Sequence, residues 1–235
     1  MRFFTPFILV FGFIFVVACS STITKNTEVP PNFILILSDD QGWNGTSVQM
    51  MDDLPQSKSD YHETPNLERL ANRGMRFSSA YASAPVCSPS RYSIQFGQTP
   101  ARLKMIRVGM NTNHINHETS FTIPKLLKSI NKNYKTAHFG KWGIDVHPSV
   151  LGYDESDGMT GNKDGVFNYK ENRKQWQNNV DKDPKKIFST TDRAIKFLER
   201  QAISKQPFFM QVSHYAVHSD VMMRQNTLNK YMEKP

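Results

Sequence analysis

Along the chain, short apolar runs alternate with stretches whose apolar residues recur at helical spacing. Asn32-Phe33-Ile34-Leu35-Ile36-Leu37-Ser38 is a continuous apolar run that ends in Asp39-Asp40-Gln41-Gly42. Such a run predicts a buried central strand with a polar loop at its C-terminal end, the end where open α/β sheets bind ligands. Tyr134 to Phe139 and Pro207 to Val212 are further strand candidates; the first leads to Gly140-Lys141-Trp142-Gly143 and the second to His214 and His218. Helical patterns lie between them. Thr64 suits a cap, Pro65 a first position and Gly74 a stop, with Leu67, Leu70 and Ala71 as the buried stripe. Ser88-Pro89 opens a second helix that runs to about Phe96. Ile123, Leu126, Leu127 and Ile130 fall at i, i+3, i+4 and i+7 and mark a third. Thr191, Ala194, Ile195, Leu198 and Ala202 define a fourth. Arg76 to Ala82 alternates loosely and reads as a strand, and residues 148–186, rich in Gly, Asp, Asn and Lys, read as a long loop. Strands alternating with helices predict an α/β fold with a mostly parallel central sheet flanked by helices.

The first eighteen residues stand apart from this pattern. Met1-Arg2 gives a positive start, and Phe7 to Ala18 is almost wholly apolar. That is the layout of a secretory signal, and the run is short for a transmembrane helix. Val16-Val17-Ala18-Cys19 resembles a bacterial lipobox, which implies a signal over 1–18, a lipid on Cys19 that holds the protein to a membrane, and a polar tether over 19–31. An ordinary signal peptide with a chance Cys is the alternative. The expected location is the bacterial periplasm or cell surface. The remaining 32–235 form the folded domain.

Composition narrows the function. Hydrophobic residues make up 38% and charged residues 21%, as in globular proteins. A net charge of +8 admits nucleic acid, an anionic membrane or an acidic substrate. The basic residues are scattered, with no zinc-finger spacing and no RNA-binding aromatic signature, so no nucleic-acid partner is expected. There are two Cys; with Cys19 lipidated, Cys87 would be a lone thiol in an exported protein, where either burial or chemistry must account for it.

Cys87-Ser88-Pro89-Ser90-Arg91 is the sharpest signal. A Cys at a helix start feels the positive end of the dipole, and an Arg four residues on reaches the same place. Such a site suits a reaction that develops negative charge. On these residues alone, a reactive thiol and a buried Cys near a surface Arg stand equal. Asp39-Asp40 is a pair of like charges that a cation or a shared proton would relieve, and hard oxygens suit calcium or magnesium. A solvated turn is the plainer reading of that pair. No EF-hand spacing occurs between Asp154 and Asp164, and Gly140-Lys141 lacks the upstream Gly of a phosphate-binding loop.

Cys87-Ser88-Pro89-Ser90-Arg91 resembles the Cys-x-Pro-Ser-Arg signature of the type I sulfatases. The likeness extends in family order through Pro31-Asn32 and Asp39-Asp40, Thr64-Pro65-Asn66-Leu67, Tyr134 to Trp142, and Pro207-Phe208-Phe209 to His218. It implies an alkaline-phosphatase-like sandwich whose catalytic domain occupies 32–235. It further implies that a maturation enzyme oxidises Cys87 to formylglycine. The hydrated aldehyde would attack sulfur and then expel sulfate. Asp39, Asp40 and residue 87 would ligate calcium, which polarises a sulfate oxygen. Arg91 would orient the hydrated aldehyde, Lys141 neutralise charge on the transferred group, and His218 bind sulfate or protonate the leaving oxygen. The substrate would be a sulfated small molecule or polysaccharide.

Two departures from the family pattern stand out. Gly143 occupies the last position of Gly-Lys-Trp-His, where the family His contacts the hydrated aldehyde; His147 is a candidate replacement. Family members also run beyond the position of Pro235, into a part that supplies further calcium ligands, another sulfate-binding Lys and a smaller C-terminal domain. The resemblance therefore implies a truncated fold with an incomplete metal site. The rival readings are a phosphate mono- or diester hydrolase of the same superfamily, and an inactive fragment or non-catalytic binding lipoprotein.

Overall fold

A computed structural model describes residues 29–168 and 172–235. The signal, the lipobox and Cys19 lie outside the described residues. Among the described residues, four strands form one sheet: β1 (Phe33–Leu37), β2 (Lys135–Gly140), β3 (Glu155–Ser156) and β4 (Phe208–Ser213). Their order is β1-β4-β2-β3, and every pairing is parallel. The described residues also form six α-helices: α1 (Pro65–Ala71), α2 (Cys87–Phe96), α3 (Ile123–Ile130), α4 (Arg173–Lys182), α5 (Ile187–Ser204) and α6 (Gln225–Met232). The α/β class with a parallel sheet is as the sequence led us to expect. No described helix is long and apolar enough to cross a membrane.

Central β4 is buried along its whole length, and its period-2 alternation serves two cores. Phe208, Met210 and Val212 pack with Ala137 and Phe139 of β2 and with Ala194 and Phe197 of α5. Phe209 faces the other way, into a cluster with Tyr92 and Phe96 of α2, Trp142, Leu151 and Tyr153. Each such side chain contributes about 1.5–3 kcal/mol of burial free energy. Because α2 and α5 pack on opposite faces of the sheet, the chain segments at the strand ends are held between them.

Several expectations are corrected. The apolar run at 33–37 is an edge strand, with Phe33, Ile34 and Ile36 exposed at 42%, 50% and 64%. In α1, Leu67 and Leu70 are 41% and 63% exposed, so the stripe that reads as buried faces an open groove. Periodicity identifies an apolar face, but burial needs a surface to cover it, and no described element covers these two. The buried stripe of α5 is Thr190, Ala194 and Phe197, whereas Ile195 is 46% exposed. Arg76 to Ala82 is turn and irregular chain rather than a strand. The stretch 148–186 is structured: it holds 3-10 turns at Pro148–Leu151 and Asn162–Gly165, the two-residue β3, and α4. A strand of two residues has no periodicity to read. Helix α4 is mostly polar and is anchored by buried Val180 and by Trp176 Nε1 donating to Phe167 O at 3.2 Å.

Candidate active site

Parallel pairing brings the C-terminal ends of β1, β2 and β4 to one edge of the sheet. The segments leaving β1 and β4 are stitched together there. Asp39 N donates to Ala216 O at 2.8 Å, and Val217 N donates to Asp39 O at 2.7 Å. The segment leaving β2 joins them through Lys141 N donating to Ser213 O at 2.8 Å. Gly140, at φ +93°, permits this approach, since a Cβ there would lie 2.0 Å from Ser213 O.

This arrangement buries a charged triad. Asp39, Arg91 and Lys141 are 5%, 3% and 2% exposed. Asp39 Oδ2 accepts from Lys141 Nζ at 2.5 Å, and Oδ1 accepts from Arg91 Nη2 at 3.2 Å. Arg91 Nη1 also donates to Lys141 O, which ties the helix to the β2 loop. Burial pulls the Arg91 guanidinium down from its ordinary value and the Asp39 carboxylate opposes this; guanidinium nevertheless stays charged in proteins. Two cations share one carboxylate, so the cluster carries excess positive charge.

Cys87 is the first residue of α2, with Val86 as an extended N-cap that supplies no side-chain bond. The unmet amides of a first turn and the helix dipole therefore act at Cys87. One turn on, Arg91 shares its face. A cavity of about 460 Å³ is lined by Asp39, Asp40, Cys87, Ser90 and Arg91, together with the 81–86 loop. Cys87, half-buried, opens onto it. Lys141 reaches the cavity through Asp39 rather than lining it. Asp40 is exposed at φ +58°, with His218 Nε2 3.7 Å from its Oδ2. The His218 Nδ1 lies 2.5 Å from Ser219 O. All six positions singled out in the sequence for catalysis or metal binding thus meet at this edge.

Gly143 and His147 turn out differently from a simple exchange. Gly143 has φ +68°, and a Cβ there would lie 2.9 Å from Arg91 Cδ. The glycine lets the arginine stem pass. His147 caps the Pro148–Leu151 turn, with its Nδ1 2.8 Å from Ser149 Oγ, and it is not among the residues lining the cavity. It does not stand in for a histidine at 143.

Sequence reasoning missed two features. Under the site lies a buried polar network: Gln95 Nε2 donates to Gln211 Oε1 at 2.8 Å, Gln211 Nε2 to Ser213 Oγ at 3.0 Å, and Tyr153 OH to Gln95 Oε1 at 2.9 Å. His138 Nε2 lies 3.1 Å from Ser213 Oγ, and burial pushes its pKa down to about 3. The only sequence signal was polar residues inside apolar runs. The second feature is Lys185, buried from an otherwise polar segment.

For calcium, the donors fit in kind and fall short in number. Asp39 and Asp40 offer hard oxygens, but calcium takes roughly six to eight. Among the described residues no cluster of three His, Cys, Asp or Glu side chains gathers around one point.

A Sulfatase family profile matches residues 31–233. The chain belongs to the Sulfatase family. N-acetylgalactosamine-6-sulfatase of Mus musculus is 29% identical over 232 residues, a match that covers 82% of this chain and 41% of the relative. The PsFucS1 sulfatase from Pseudoalteromonas sp. superposes with a TM-score of 0.63 at 21% identity, over 83% of this chain and 46% of that one. BT4656, solved with its substrate D-glucosamine-2-N,6-O-disulfate, superposes with a TM-score of 0.58 at 24% identity, over 86% and 37%. At those identities the two structures speak for the fold, which is the alkaline-phosphatase-like one implied by the sequence resemblance. The chain spans about two fifths of the length of curated relatives it matches, 41% of the mouse protein.

Proposed function

We propose that the protein hydrolyses sulfate esters, with residue 87 as the nucleophile. The observation that carries this reading is the buried Asp39–Arg91–Lys141 triad beside a cavity onto which Cys87 opens. Oxidised by a maturation enzyme to formylglycine, position 87 would present a hydrated aldehyde as the attacking hydroxyl. Arg91, fixed by Asp39 and by Lys141 O, orients that group and stabilises charge beside it. Lys141, held behind Asp39, would offset charge on the sulfo group being transferred from outside the cavity lining. His218, beside Asp40, would protonate the departing alcohol oxygen. Asp39 and Asp40 are the calcium ligands in this reading, with Lewis-acid polarisation of a sulfate oxygen as the chemistry the ion supplies. The remaining ligands come from outside the described residues.

The sulfated sugars acted on by the mouse relative and bound by BT4656 support a sulfated saccharide as the substrate class. Export and anchoring through lipid on Cys19 fit work on an extracellular polymer, and rest on the lipobox pattern alone.

The test is side-by-side hydrolysis of an aryl sulfate and an aryl phosphate by the protein purified from its native host. Preferential sulfate cleavage, lost in Cys87→Ala, is expected. Faster phosphate cleavage would move the assignment to phosphate esters, and turnover retained by Cys87→Ala would remove residue 87 from the mechanism.

A further inference from the structure

Past the end of β2, Lys141, Trp142 and Gly143 lie in neither helix nor strand. No regular element fixes the backbone from which the Lys141 ammonium reaches Asp39. Buried backbone polar groups must still find partners, and here most of them come from one short segment, 157–160, that follows β3. Gly140 N donates to Asp157 Oδ2 at 2.7 Å. Thr160 Oγ1 donates to Gly140 O at 2.6 Å. Trp142 N donates to Thr160 Oγ1 at 3.0 Å and to Thr160 O at 3.2 Å. Gly143 N donates to Thr160 O at 2.9 Å.

Thr160 therefore grips the chain on both flanks of Lys141, the carbonyl before it and the amides after it. Its hydroxyl is used twice, once as donor and once as acceptor, which a threonine or serine can do and a valine cannot. The gripping segment is itself anchored. Asp157 N donates to His138 O of β2 at 3.2 Å, and Arg193 of α5 donates from Nη2 to Asp157 Oδ2 at 2.8 Å. Thr160 is not among the residues lining the cavity, so its hold on the site runs through the backbone of Lys141. A lysine has a flexible four-carbon stem, and a shift of about 1 Å in a group that serves a reaction can cost about a hundredfold in rate.

We propose that Thr160 is a positioning residue for sulfate ester hydrolysis, setting the direction in which Lys141 leaves the backbone toward Asp39. The proposal rests on the sulfate ester reading above.

Steady-state hydrolysis of an aryl sulfate by the protein from its native host tests this. Thr160→Val keeps the shape and removes both hydroxyl bonds; it should lower kcat about tenfold or more while KM changes less than about threefold. Thr160→Ser should recover most of the lost rate. Thr160→Ala, which adds no atom, should repeat the valine loss and serves if the valine variant does not fold. A purely structural threonine would lower the melting temperature and leave kcat of the folded variant unchanged. In a Lys141→Met background, Thr160→Val should lower kcat by no more than about twofold, because the ammonium it positions is gone and Arg91 keeps its own bond to Asp39. Unchanged kcat in folded Thr160→Val and Thr160→Ala, equal losses in Thr160→Ser and Thr160→Val, or a full additive loss in the Lys141→Met background would overturn the proposal. Failure of the sulfate ester reading shows in the native protein instead, as faster cleavage of an aryl phosphate; the same variants run on that phosphate then decide whether Thr160 positions Lys141.

Discussion

Removing the Asp39 carboxylate should cost far more than removing either cation it serves. In the native chain its two oxygens meet Lys141 at 2.5 Å and Arg91 at 3.2 Å, and all three side chains are 6% exposed or less. Asp39→Ala leaves two buried cations facing each other with no counter-charge. Breaking a buried pair in this way costs about 3–5 kcal/mol. For a chain of this size that corresponds to a fall in melting temperature of roughly 6–20 °C. Lys141→Met is different in kind. It preserves volume, leaves Asp39 paired with Arg91, and removes a desolvated ammonium, so its cost should stay within about 1 kcal/mol. The double variant Asp39→Ala/Lys141→Met leaves a single buried cation and should recover part of the loss, a coupling that a double-mutant cycle reads directly. Urea unfolding followed by tryptophan fluorescence measures all three. Equal losses in the two single variants, or strict additivity in the double, would refute the picture of one carboxylate balancing two cations.

Other outcomes follow from the same geometry. His138 is neutral in the fold because burial holds its pKa near 3, while in the unfolded chain it titrates near its ordinary value, about 6.5. The unfolded state therefore binds more protons between those values, so this contribution is fully present above about pH 6.5 and is lost by about 1.4 kcal/mol per pH unit as pH falls toward 3; a stability slope between pH 7 and pH 4 that is shallower in His138→Gln than in the native chain would bear this out, and equal slopes would contradict it. Gly143→Ala and Gly97→Ala both force alanine into positive φ, at about 1–2 kcal/mol, but Gly97 has open space around it and Gly143 meets Arg91 Cδ at 2.9 Å. Only Gly143→Ala should also weaken sulfate binding, and calorimetric titration showing the two variants alike would be inconsistent with that contact. Gly140→Ala should fail to fold stably, since its Cβ would sit 2.0 Å from a backbone oxygen; a soluble variant with native near-UV circular dichroism would be the contrary result.

Strands β2 and β4 were legible because the fold covers their apolar runs, and α2 was legible from Ser88-Pro89 as a helix start; in α3 the spacing was clear, yet Leu126 and Ile130 stay 49% and 74% exposed. For β1 and α1 the spacing was equally clear and burial did not follow, since Phe33, Ile34, Ile36, Leu67 and Leu70 remain exposed. Local pattern carries the direction of an apolar face and says nothing of its partner. The site residues were legible as a set through motif order, yet their geometry was not. Nothing local indicates that Lys141 Nζ and Arg91 Nη2 share one carboxylate from a third element. Gly143 read as a missing histidine, and the structure gives it a positive part, as the gap through which the Arg91 stem passes. Lys185 was invisible because Asp183-Pro184-Lys185-Lys186 looks like solvated loop. Its inward turn depends on left-handed backbone angles that no lysine would advertise.

The central claim is that position 87 works as an aldehyde rather than a thiol. Its most direct test is the mass of the tryptic segment Phe77 to Arg91 from protein made in its native host. Formylglycine at position 87 in that segment is the result expected here, together with loss of sulfate ester hydrolysis in Cys87→Ala. A segment carrying only unmodified cysteine, from protein that is fully active on sulfate esters, would contradict it.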